Sequence, residues 1–179
     1  MKLLIAIMMA AICYADDRVN PDALITADFA KRVADYQQIE KTLENKQPRL
    51  KETGSQFTIQ EHEHKLAKAI REARRNARPG DIFTPPICGE FRRLTGLAMV
   101  GGNTARVHKS LQDSEPVQMQ LRVGDSYPPG VPEQSTPPTL LLNLPALPPV
   151  LEYRLLGPTL ILLDTKANIV VDLMANAIR

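Results

Sequence analysis

The hydrophobic period of this chain changes at Pro116, and that change confines it to helices first and strands second. Ahead of Pro116 the apolar residues recur every three or four positions; behind it they alternate. From Pro21 to Asn45 the stripe is Ile25, Phe29, Val33, Tyr36, Ile39 and Leu43, which predicts an amphipathic helix with Asp22 or Thr26 at its start. Thr58-Ile59-Gln60-Glu61 fits a capping box and predicts a second helix running to about Ala77, stopped by Arg78-Pro79-Gly80. Thr84 followed by Pro85 marks a third start, with Ile87, Phe91, Leu94 and Ala98 on one face until Gly101-Gly102. A short fourth helix fits Asn103 to about Gln112.

After Pro116, Val117, Met119, Leu121 and Val123 fall on one side of a strand, with Gln118, Gln120 and Arg122 on the other. Ten of the fifteen prolines lie between Pro116 and Pro158, where they separate β-rich runs at Thr139–Leu144, Leu151–Leu156, Thr159–Leu163 and Ile169–Leu173. Gly157-Pro158 reads as a hairpin turn, and Asp164–Asn168 turns the chain into the last strand. The expected fold class is α+β. Three to four helices in residues 16–112 precede an antiparallel sheet of four to five strands in residues 113–179, packed as one globular unit.

Residues 1–15 read as a cleavable secretory signal peptide: cationic Lys2, an apolar run from Leu3 to Ile12, and small Cys13 and Ala15 before Asp16. A lipidated Cys13 is the weaker alternative, because bulky Ile12 precedes it. The run is shorter than the roughly 20 apolar residues a transmembrane helix needs, and no later stretch of the sequence is continuous enough to span a bilayer. A soluble exported protein, periplasmic or extracellular, is expected. Cleavage leaves Cys88 as the one cysteine, so no intramolecular disulfide holds the mature chain. Core packing is the first reading of Cys88, with pairing between chains the second. Aromatic residues make up only 4% and Trp is absent, so the expected core is aliphatic and stacking platforms for sugars or bases are scarce.

Net charge is +2, but residues 65–109 carry ten bases against three acids while the flanking segments are acidic. Lys65, Lys68, Arg71, Arg74, Arg75 and Arg78 project away from the apolar stripe of the second helix, and Arg92, Arg93, Arg106 and Lys109 extend the basic surface. This reads first as a solvated face. The functional alternative is an anion-binding face centred on Lys68, Arg71, Arg75 and Arg78, taking an anionic envelope polymer; without aromatic interleaving, nucleic acid is disfavoured.

Catalytic constellations are weak. Gly124-Asp125-Ser126 resembles the nucleophile block of the GDSL esterases, but no His follows His108 to serve as the base that family requires. In Glu61-His62-Glu63-His64 the two histidines point about 200° apart on a helix, so one ion cannot bridge them. His62 falls on the apolar face and His64 on the basic one. Neither a nucleotide fingerprint nor a phosphate loop occurs, and no cofactor or metal is expected. The reading is a non-enzymatic envelope protein that acts by binding a partner protein or an anionic polymer. The alternative is a hydrolase using carboxylates of the C-terminal half, such as Asp125, Asp164 or Asp172.

Gly80-Asp81-Ile82-Phe83-Thr84-Pro85, and the run from Leu151 through Asp164, Ala167-Asn168 and Val170-Val171-Asp172, resemble segments of uncharacterised exported bacterial proteins. That resemblance implies export and an α-then-β arrangement. It implies no activity, cofactor or site residue.

Overall fold

The computed structural model describes residues 20–48, 55–98, 120–128 and 142–178. Three helices, α1 (Pro21–Glu44), α2 (Gln56–Ala73) and α3 (Pro85–Ala98), precede three strands, β1 (Leu151–Leu156), β2 (Thr159–Asp164) and β3 (Ile169–Met174). The chain is therefore α+β in the expected order. The signal segment, the fourth helix at 103–112, residues 117–119 of the first expected strand and the 139–141 part of the next lie outside the described residues.

Helix α3 starts at Pro85 as expected, but α1 and α2 are capped by residues other than those expected. Asn20 caps α1, its Oδ1 accepting from the Asp22 N–H at 3.0 Å with Pro21 next in line, while the Thr26 hydroxyl donates back to the Asp22 carbonyl. Ser55 caps α2 by accepting from the Thr58 N–H at 3.4 Å, so the helix begins ahead of Thr58. Glu61 closes no capping box and instead pairs with Lys65, one turn along. The second helix also stops earlier, at Ala73. Beyond it Arg78-Pro79-Gly80-Asp81 folds into a turn, with Gly80 at φ +92° and the Arg78 N–H held by the Asp81 carboxylate. Proline followed by a positive-φ glycine is the signature of a type II turn.

The sheet is an antiparallel meander in the order β1-β2-β3. Gly157 at φ +56° opens the first hairpin. Pro158 cannot take positive φ, which excludes a type I′ turn and leaves type II′ as the tight connection. In the second hairpin, the Asp164 Oδ1 accepts the Lys166 and Ala167 N–H groups at 2.9 Å, and Asn168 takes the left-handed position at φ +47°. A β-bulge interrupts the β2–β3 ladder: Leu162 pairs with Asp172 and Leu163 with Val170, leaving Val171 as the extra residue. The bulge resets the alternation of β3. Val170 and Leu173 reach one face of the sheet, while Ile169, Val171 and Met174 join the core on the other.

That main core draws on all three helices and all three strands. It is mostly aliphatic, as expected, with a group of aromatic rings within it. Phe29, Phe83, Phe91 and Tyr153 form one cluster with ring centroids 5.0–6.4 Å apart, in which Phe29 stacks with Phe83 and Tyr153 and Phe91 meets all three edge-to-face. The opposite sheet face carries a smaller cluster in which Tyr127 covers Leu156, Ile161, Leu163 and Val170, and the Arg154 guanidinium lies 5.1 Å from the Tyr127 ring.

Among the described residues fewer strands form than the alternation predicts. Among the described residues, 120–123 make no ladder, because Asp125 draws them into a turn: its carboxylate accepts from the Arg122 N–H and its own N–H donates to the Arg122 carbonyl. The segment is tied to the sheet edge by the bridge between Ser126 and Ile169 and by two backbone bonds of 2.8 Å, from the Gly124 N–H to the Val170 carbonyl and from the Val170 N–H to the Asp125 carbonyl. Residues 142–144 likewise form a turn, and Pro145, Pro148 and Pro149 supply no N–H for a ladder. Among the described residues no helix is long and apolar enough to cross a membrane.

Candidate functional site

Arg71 lies in the last turn of α2, Arg74 is its C-cap and Arg75 follows directly, and all three line one side of a cleft at the helix end. The structure brings this side against the 122–126 turn. Between them lies a cleft of about 310 Å³, lined by Ile70, Arg71, Arg74, Arg75 and Ala77 from the helix side, Val123, Gly124 and Asp125 from the turn, and Ile169 at the base.

Each arginine is held differently. Arg71 donates from Nε to the Gly124 carbonyl at 2.6 Å and from Nη2 to the Ser126 hydroxyl at 2.7 Å, so it fixes the turn that forms the far wall. Gly124 has φ +91°, and an added Cβ there would meet the Arg71 stem at 3.9 Å. Arg74 donates to the Val171 carbonyl at 3.0 Å, the group that the bulge leaves outside the ladder, and its guanidinium lies 5.1 Å from the Tyr36 ring. Arg75 is exposed and has no hydrogen bond or ion pair among the described residues. A guanidinium carries more N–H donors than these bonds use, so all three keep donors for a ligand.

Of the four residues expected on an anion-binding face, Arg71 and Arg75 line the cleft, whereas Lys68 and Arg78 are exposed and do not. Arg71 departs from the expectation of a solvated cation, because its guanidinium is tied to Gly124 and Ser126. Arg74, which belonged to the wider basic run but not to the four, lines the cleft. Its position three residues after Arg71 was the available signal. In the opposing wall Gly124-Asp125-Ser126 reads as a β-turn, but nothing local in the sequence places it beside Arg71, 53 residues away.

The three acids named for hydrolysis do not converge on this cleft. Asp172 is fully buried; its carboxylate accepts from the Gly80, Ile82 and Phe83 N–H groups at 2.7–2.9 Å and from its own Leu173 N–H. It pins the 80–83 loop to β3. Asp164, also fully buried, accepts the Tyr36 hydroxyl at 2.7 Å besides the two turn N–H groups. Only Asp125 lines the cleft, and one of its oxygens is occupied by the Arg122 N–H.

A polar network runs behind Arg74. Burial, followed by the charge and hydrogen bond of Asp164, pushes the Tyr36 hydroxyl far above the ordinary tyrosine range, so it remains a donor. Glu40, with only 1% of its side chain exposed, is also pushed up by burial, against the opposing pull of Lys166 at 3.4 Å. Burial lowers Lys166, but its bond to Glu44 and the charge of Glu40 outweigh that and hold it above the usual lysine value.

Comparison with family models, with curated proteins and with solved structures returned no match. The remaining candidates are dispersed. His62 is half-buried and His64 exposed on α2. Among the described residues no group of three His, Cys, Asp or Glu side chains is placed to hold a metal ion. Cys88 is half-buried against the core with its thiol on the Phe83 carbonyl at 3.1 Å, and burial pushes the thiol up, away from the reactive thiolate.

Proposed function

We propose that this chain is an exported protein that acts by binding an anionic partner rather than by catalysis. One observation carries the reading: three arginines line a single cleft, while the two buried aspartates are consumed by backbone donors and the Tyr36 hydroxyl. Anion binding needs charge and donors held in place, and Arg71 and Arg74 are held by bonds to Gly124, Ser126 and Val171. Hydrolysis by paired carboxylates needs two acids that share a substrate, and the cleft offers only Asp125. Exposed Lys68 and Arg78 extend the positive surface beyond the rim and draw an anionic envelope component toward it. Export rests on the signal-like residues 1–15.

Salt-graded elution from immobilised heparin tests the reading. The protein is expected to be retained at low salt, and reversal of the exposed charges, Lys68→Glu with Arg75→Glu and Arg78→Glu, is expected to abolish retention. Elution unchanged by the triple reversal overturns the proposal.

A further inference from the structure

The walls of the cleft say more than its charge. Ile70, Ala77, Val123 and Ile169 give it an apolar lining between the guanidinium groups, and its volume of about 310 Å³ sits at the lower end of small-molecule sites, which span roughly 300–1,000 Å³. A bare inorganic anion would leave those apolar walls wet. An extended polymer would be too large to be enclosed. Asp125, on the turn side, disfavours a second negative charge there, so a ligand that fits carries its charge at one end.

We infer that the cleft binds a small organic oxyanion, a carboxylate or phosphate head on a short apolar body. The head lies against the free guanidinium donors of Arg71, Arg74 and Arg75, where paired N–H groups match two oxygens of one oxyanion. The apolar body lies along Ile70, Ala77, Val123 and Ile169. This deepens the anion-binding reading above and rests on it. It narrows the partner to an amphipathic anion, and it makes Ala77 and Val123 determinants of specificity alongside the arginines.

Isothermal titration of the purified protein with hexanoate, hexyl phosphate, hexanol and inorganic phosphate tests it. At least one of the two hexyl anions is expected to bind about tenfold or more tightly than inorganic phosphate, with hexanol showing no binding. Whichever anion binds more tightly identifies the head. Arg75→Gln, at an exposed position that supports no other residue, is expected to weaken binding about tenfold. Ala77→Leu fills the cleft without changing charge; it is expected to abolish hexyl-anion binding and leave heparin elution where it was. Equal binding of inorganic phosphate and the hexyl anions overturns the inference, as does binding indifferent to both substitutions. No binding of any small anion, with heparin retention intact, overturns the inference and leaves the broader anion-binding reading standing. Loss of both overturns both.

Discussion

Asp172 shows how much one side chain can determine. Its carboxylate gathers three loop N–H groups that burial cuts off from water, and each such donor left unpaired is costly. Asp172→Ala is expected to destabilise the protein by on the order of 3–5 kcal/mol in denaturant unfolding, with Asp172→Asn intermediate because its carbonyl still accepts. The sequence marks Asp172 only as an acid within an apolar run. Its role depends on the bulge at Val171, which no local pattern announces. Glu40 makes the opposite contribution. Its folded value is raised, so the folded state holds that proton more tightly than the unfolded chain does. The stability from neutral Glu40 is present below the unfolded carboxylate value and is lost as pH rises through the higher folded value. Glu40→Gln is therefore expected to flatten the fall in stability with rising pH across that window, measured as melting temperature against pH. A steeper fall in the variant would contradict the assignment.

Elements whose signals are local agree best with expectation. The bounds of β1 match its alternation, and Gly157-Pro158 makes the hairpin that those two residues dictate. Because a Cβ at Gly157 would meet no atom within 4 Å, the effect of Gly157→Ala isolates backbone strain at φ +56°. The expected loss is about 1 kcal/mol in equilibrium unfolding, and an unchanged midpoint would show that the turn relaxes. Helix termini were less readable, since Asn20 and Ser55 compete with equally plausible caps a few residues further on. Of the strand expected at 117–123, the described residues 120–123 make no ladder because the Asp125 turn overrides alternation there, closing by hydrogen bonds that hydrophobic period does not encode.

In the molecule as a whole, helices and strands share one core, and the basic end of α2 is brought beside a turn distant in sequence. The uneven charge was visible in the sequence, as was the arginine spacing. The cleft was not, because it exists only where α2 meets the 122–126 turn, and the contact depends on Arg71 reaching Gly124 and Ser126. The proposed export is tested by expression in a secreting bacterial host, which is expected to yield mature protein beginning at Asp16 by N-terminal sequencing; an intact Met1 would contradict a cleaved signal. The central claim, that the arginines of α2 make this an anion-binding protein, is tested most directly by amide-resolved NMR titration with heparin fragments. Shifts concentrated at residues 68–78 and 122–126 and diminished by salt are the expected result. Shifts centred elsewhere, or none at low salt, would contradict it.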